Sequence, residues 1–257
     1  SEIGQAVGSN VTVVELGAGT ATKTSTLLRA LAGKQIRTSY FPVDISPSAL
    51  AEAKMQVNAQ VPNARVHPIV ADFGEGFAFL RDIPGRKLVL YLGSSIGNFD
   101  PEDAVSMLSD VREQLNPGDS LLLGTDLIKP STILIPAYDD AKGITAQFNR
   151  NILRRLNREL GAEFYVNAFR HVARWNAFCS RIEMHLQSQC RQTVSLGILG
   201  SKVAFAAGER IHTENSYKYT IPMVKGMLRS AGFSLDQTWF DDKKWFALNL
   251  ARTSQLA

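Results

Sequence analysis

Through its first half the chain alternates short apolar runs with stretches of helical periodicity. Val11 to Val14 is one such run, leading into Glu15 and then a Gly17-Ala18-Gly19 turn. A short apolar run bounded by a turn predicts a buried strand. Ser25 to Leu31 carries a helical pattern, and Thr38 to Val43 predicts a second strand that ends on Asp44. Ser46 and Pro47 start a helix running to about Val57, with Ser46 as cap and proline at the first helical position. Pro62-Asn63 breaks it, and a third strand is expected over Arg65 to Ala71, ending at Asp72-Phe73. Lys87 to Leu92 reads as a buried parallel strand running into the loop Gly93 to Phe99. Pro101 to Leu115 places Val105, Leu108, Val111 and Leu115 at helical spacing. Asn116 to Asp119 is a turn, and Ser120 to Gly124 a fifth strand before Thr125-Asp126.

Strand–helix alternation of this kind predicts a doubly wound α/β sheet. It stops after Asp126. A long helix is expected over Ala137 to Leu160, then β-like sequence over Ile182 to Leu199, a strand at Val203 to Phe205 and a turn at Gly208-Glu209. Alternation resumes with a helix over Pro222 to Ala231, capped by Gly232. Two strands follow, Gln237 to Phe240 and Trp245 to Ala251, as a hairpin in which one strand must run antiparallel. A seven-stranded, mostly parallel Rossmann-like sheet with one antiparallel strand is the layout of class I methyltransferases. The expected division is a core of 1–128 and 218–257, with 129–217 as an inserted substrate cap.

Composition narrows the classes. With 257 residues, 45% of them hydrophobic, the chain supports a full core and carries no signature of disorder. The net charge of +4 is scattered, without a basic run, so no nucleic-acid partner is expected. Cys179 and Cys190 fit a reducing compartment, and a cytoplasmic location is expected. The four histidines and two cysteines show no metal-ligand spacing, and His67, His171, His185 and His212 are read as structural or surface residues. No apolar run approaches ~18 residues, so no membrane span is expected; the expected form is a monomer.

The strand, glycine turn, helix, strand and acid of Val11 to Asp44 have the physics of a nucleoside site. Glycines allow a tight turn and close approach, the helix start offers unpaired N–H groups, and an acid at the second strand end suits a ribose diol. The dinucleotide fingerprint requires a third glycine where this chain has Thr22. Glu15 sits badly beside a pyrophosphate but suits the ammonium of S-adenosylmethionine. The cofactor expected is therefore S-adenosylmethionine, with a nicotinamide-dependent oxidoreductase as the distant alternative. Asp72-Phe73 after the third strand suits an adenine, or is a turn aspartate near Gly74. Loops at the carboxyl ends of parallel strands are where ligands sit, which draws in Gly93 and Asn98. Asn98 can orient both ends of a zwitterion, since an amide donates and accepts, or it can cap the helix near Pro101. Glu214 and Ser216, one residue apart on an extended segment, share a face; the alternative is a solvated strand face.

With these motifs in hand, the chain resembles the histidine-specific N-methyltransferase family. The resemblance is carried by Glu15 to Thr20 with Lys23-Thr24, Tyr91 to Asn98, Pro117 to Asp126, Ala137 to Asp140 and Phe148 to Asn151. Arg181 to Met184, Phe205 to Glu209 and Thr213 to Ser216 complete it. Such enzymes trimethylate the α-amine of histidine to hercynine in ergothioneine biosynthesis. The resemblance implies that Gly17, Gly19 and Lys23 line the methionine end of the cofactor, Asp44 the ribose, and Asp72 and Phe73 the adenine. It implies that Asn98 and Tyr138 hold the carboxylate and amine of the amino acid, that Glu214 and Ser216 read the imidazole, and that Met184 packs near the ring. Tyr138 as a core-edge tyrosine and Met184 as plain packing are the competing readings. The family carries a further N-terminal segment, so a cofactor-binding fragment inactive without it is one alternative. A relative acting on another amino acid, such as an indole-bearing one, is another, with Glu214 as discriminator.

Overall fold

The computed structural model describes residues 2–33, 35 and 38–253. The chain divides into two compact units, one of Ser1–Leu127 with Tyr219–Ala257, the other of Ile128–Lys218.

The first unit opens with α1 (Glu2–Val7), β1 (Val11–Leu16), α2 (Thr24–Ala32) and β2 (Thr38–Asp44). All six residues of β1 are buried, and the strand runs two residues beyond the expected Val14, carrying Glu15 inside it. Next comes α3 (Pro47–Gln60), whose Ser46 cap accepts from the Ala49 N–H at 3.3 Å. The expected third strand is broken into β3 (Ala64–Val66) and β4 (Ile69–Val70), both pairing with β2. Pro68 lies between them and has no N–H to give the ladder. A short α4 (Phe79–Asp82), β5 (Arg86–Tyr91), α5 (Pro101–Glu113) and β6 (Ser120–Asp126) follow. Helix α5 buries Ala104, Met107, Leu108 and Val111. Under β5, the Lys87 ammonium pairs with the Asp119 carboxylate at 3.2 Å, both side chains being 2% exposed or less. Asp119 also accepts from the backbone N–H groups of Lys87 (2.7 Å) and Asn116 (2.9 Å), so the buried carboxylate is satisfied.

The second unit contains α6 (Ser131–Tyr138), α7 (Ile144–Leu160), β7 (Phe169–Asn176), β8 (Arg181–Ser188), β9 (Gln192–Ser195), β10 (Lys202–Phe205) and β11 (Arg210–Tyr217). The single helix expected over Ala137 to Leu160 is therefore two. Gly143 takes φ +68°, and the Asp140 carboxylate accepts from the Ile144 and Thr145 N–H groups at 3.0 and 2.8 Å. That aspartate caps the first turn of α7, which holds its carboxyl down at about 2. The antiparallel sheet β11-β8-β7 and the hairpin β10-β9 form the rest. Leu153 of α7 packs with Phe164, Phe169, Leu186, Val194 and Phe205, while Leu134 of α6 packs with Ile182 and Met184.

The chain then returns to the first unit through α8 (Ile221–Ser230), β12 (Phe233–Phe240) and β13 (Phe246–Thr253). The strand path is β12-β13-β6-β5-β1-β2-β3, with β4 as an eighth strand beside β2. Strand β13 runs antiparallel to both its neighbours, β6 and β12, and the other pairings in the sheet are parallel. Between β1 and β5 the order of strands reverses, which opens a crevice at their carboxyl ends.

Candidate functional site

The crevice is built by backbone conformation first. Gly17 and Gly19 take φ +67° and +51°, and a Cβ on either would meet nothing within 4 Å. The glycines are thus required by the left-handed backbone, and their open side leaves room for a ligand to approach. Asp44, at the end of β2, closes the turn: Oδ2 accepts from the Gly19 N–H at 2.9 Å and Oδ1 from the Ser46 N–H at 2.9 Å. Each oxygen retains a lone pair beyond these bonds.

A cavity of about 350 Å³ is walled by Glu15, Gly17, Thr20, Lys23, Thr24 and Gly93, among others. A second of about 480 Å³ shares Lys23, Thr24, Leu92 and Gly93 with it and continues along apolar Leu27, Leu122, Phe246 and Leu248. Lys23 is the residue before α2 and makes no side-chain cap there. Glu15 is 5% exposed; Thr24 donates to its Oε1 at 2.5 Å and the Tyr40 hydroxyl donates to its Oε2. Burial pushes its carboxyl up to about 7, against the pull of those two hydrogen bonds. Burial and then the neighbouring carboxylate likewise push the Tyr40 phenol up.

Gly19, Asp44, Asp72 and Phe73 lie outside the walls of both cavities. Asp72 is exposed and accepts from the Gly74 N–H at 2.8 Å, capping its own turn, which is the plainer of its two expected roles. The Phe73 ring lies 5.3 Å from that of Phe77 and 6.5 Å from that of Tyr91. Asn98 ends a single 3₁₀ turn, Ser95–Asn98, after β5 and is exposed. It is not the cap of α5, a position held by Asp100.

The second unit holds its own polar cluster. Tyr138, at the end of α6, places its hydroxyl 2.8 Å from Ser216 Oγ on β11. Ser216 is 5% exposed, and Glu214, two residues earlier, is half-buried. Burial raises the Glu214 carboxyl, while the Lys218 charge pulls it down. Met184 pairs directly across from Glu214 and is 3% exposed, buried beside Leu134 and Ile182. The backbone carbonyl of Tyr138 is 2.7 Å from His171 Nε2, and the Asn149 amide lies 2.9 Å from His171 Nδ1. Since a carbonyl only accepts, Nε2 carries the ring hydrogen and Nδ1 accepts from Asn149. Sequence reasoning gave no role to Thr24, Tyr40 or Lys218, whereas His171, read as structural or surface, is buried and hydrogen-bonded at both ring nitrogens. Only Lys218 had a signal, its position two residues beyond Ser216 in the same extended register.

Thr22, where a dinucleotide site requires glycine, is instead hydrogen-bonded through its hydroxyl to Thr20 (2.9 Å) and Gln56 (3.2 Å). No group of three or more potential metal ligands occurs among the described residues, nor any helix long and apolar enough to cross a membrane.

A protein family described as "histidine-specific methyltransferase, SAM-dependent" matches residues 1–253. A histidine N-alpha-methyltransferase of Mycolicibacterium smegmatis is 42% identical over 251 residues, 98% of this chain and 78% of that protein. Another of Mycobacterium tuberculosis is 43% identical over 242 residues, 93% of this chain and 74% of that protein. Among solved structures, the CcbJ methyltransferase of Streptomyces caelestis matches with a TM-score of 0.52 at 15% identity, over 97% of this chain and 92% of that one. The fold is that of class I methyltransferases.

Proposed function

We propose that this chain, which belongs to the family of histidine-specific, S-adenosylmethionine-dependent methyltransferases, methylates the α-amine of free histidine to give trimethylhistidine for ergothioneine biosynthesis. One observation carries the choice of substrate. Glu214 and Ser216 share one face of β11, and the Tyr138 and Ser216 hydroxyls lie 2.8 Å apart, which supports a carboxylate and a hydroxyl reading one ring. An imidazole has one nitrogen for each, whereas an indole has only one. A buried recognition pair of this kind rejects analogues that leave its polar groups unpaired.

The first unit fits the cofactor of this family. Its open glycine backbone, Asp44 at the end of β2, Glu15 within β1 and an adjoining cavity of about 350 Å³ match a nucleoside joined to a cationic amino acid. Glu15 would face the ammonium, Gly17, Gly19, Lys23 and Gly93 the methionine end, Asp44 the ribose, and Asp72 with Phe73 the adenine. When bound, S-adenosylmethionine supplies a sulfonium methyl group for in-line displacement by an amine. The chain's own part is to bind, orient and keep dry. Asn98 would hold the carboxylate and amine of the amino acid together with Tyr138, and Met184 would back the imidazole subsite from the core. Catalysis then rests on alignment and desolvation of a neutral amine. Tyrosine faces suit the growing ammonium of successive transfers. A monomer in the cytoplasm belongs to the same reading.

The test is mass spectrometry of products from labelled S-adenosylmethionine and a panel of free amino acids. Label on histidine, with mono-, di- and trimethylated products in sequence, is the expected result. Label on tryptophan in preference to histidine overturns it.

A further inference from the structure

The cluster in the second unit holds a charge that the proposed reaction leaves unused. Lys218 is 0% exposed, a rare state for lysine. Its Nζ donates to Tyr138 Oη and to Ser216 Oγ, each at 2.7 Å, and lies 4.7 Å from the centre of the Tyr138 ring. Glu214, Ser216 and Lys218 alternate along extended chain, so they address one side.

The hydrogens can be counted. The two hydroxyls own one hydrogen each, and each oxygen already accepts from Lys218. One hydroxyl hydrogen lies along the 2.8 Å contact between Tyr138 and Ser216. The other is left to point away from the cluster. Lys218 thereby turns the hydroxyl pair into a donor. Across the subsite Glu214 is the acceptor.

We infer that Lys218 is a positioning residue that sets this subsite to take a neutral imidazole and to refuse the imidazolium cation. The inference rests on the proposed function, in which this subsite reads the histidine ring. A neutral imidazole has one N–H for Glu214 and one lone pair for the outward O–H. An imidazolium has two N–H donors, so one of them would confront a hydroxyl hydrogen with a buried ammonium behind it.

The ionisable groups of the three-stranded sheet sort by face. On the face of the sheet bearing Glu214 and Ser216, the cross-strand neighbours are Met184 and Ile182 of β8, then Ala173 and Trp175 of β7. His171 of β7, opposite Leu186, shares that face and is committed to the Tyr138 carbonyl and Asn149. Arg174, Arg181, Glu183, His185 and Tyr217 alternate onto the other face.

Two measurements test it. The first is ¹⁵N NMR of imidazole-labelled histidine bound to the wild-type protein with S-adenosylhomocysteine at pH 6. One protonated and one unprotonated ring nitrogen is the expected spectrum; two protonated nitrogens overturn the inference. The second is KM for histidine between pH 5.5 and 8.5 for wild type, K218M and K218R at saturating S-adenosylmethionine. Wild-type KM is expected to rise by up to about tenfold per pH unit below the ordinary imidazole pKa of about 6.5. K218M should raise KM at pH 8 and lose that rise, with kcat changing less than KM, and K218R should restore it. A K218M profile parallel to wild type overturns the inference, and S-adenosylhomocysteine binding checks that each variant is folded. Should K218M fail that check, the NMR spectrum of the wild type decides alone. A wild type that never methylates histidine overturns the functional reading instead.

Discussion

Replacing Glu15 with Gln is expected to make the ligand-free protein more stable above pH 7 and less able to hold its cofactor. Glu15 is 5% exposed, and burial raises its carboxyl from 4.5 to about 7. At about 1.4 kcal/mol per pH unit, ionising it in the folded state costs about 3 kcal/mol. The sign follows from the direction. A carboxyl raised by folding contributes its stability in full below its unfolded pKa, and that contribution is lost as pH rises through about 7. Gln does not titrate and keeps an acceptor and a donor for the hydroxyls of Thr24 and Tyr40. Urea unfolding of the ligand-free proteins should therefore show E15Q gaining about 2–3 kcal/mol over wild type between pH 5 and pH 8. Cofactor affinity should move the other way. A ligand ammonium beside Glu15 favours the carboxylate, so S-adenosylhomocysteine binding by calorimetry should release a proton and tighten from pH 5 to 7 in wild type. In E15Q it should be weaker and nearly flat. A stability difference that is the same at pH 5 and pH 8 would refute the reasoning, because it would mean that Glu15 ionises in the fold as it does in the unfolded chain.

Other perturbations separate the parts of the molecule. G19A forces alanine to φ +51° and should cost about 1 kcal/mol by urea titration, together with a loss of S-adenosylhomocysteine affinity. D119N leaves the Lys87 ammonium buried without its counter-charge, and a loss of about 3–5 kcal/mol is expected in the same titration. E214A removes a charged hydrogen-bond partner from the amino-acid subsite. Steady-state assays should show kcat/KM for histidine falling about ten- to hundredfold, with cofactor affinity unchanged, and the preference for histidine over tryptophan narrowing.

The sheet was legible in the sequence because buried parallel strands leave unbroken apolar runs such as Leu88 to Leu92. The glycine turn was legible because only glycine sits easily at φ +67° and +51°. Other features follow local chemistry that periodicity does not register. Pro68 splits the third strand by lacking a donor, and Asp140 ends one helix pattern and begins another by accepting two backbone N–H groups. Strand β7, whose Arg170, His171, Arg174 and Asn176 hide its alternation, went unseen because its buried positions include a histidine satisfied at both nitrogens. Lys218 was passed over for the opposite reason, despite its register with Ser216. A lysine is read as solvated unless the structure shows what surrounds it, and here one partner, Tyr138, lies on α6, far away in the chain.

The place of β13 bears on how the protein is made. Phe246–Thr253 inserts between β6 and β12, yet it is synthesised after every other described strand. Until it leaves the ribosome, β6 is a bare edge of apolar chain, open to a stray strand from elsewhere. The unit Ile128–Lys218 has its own sheet and core and has emerged in full before that gap closes. Translation thus delivers a finished insert inside an unfinished host, and the host's central sheet waits for its last strand.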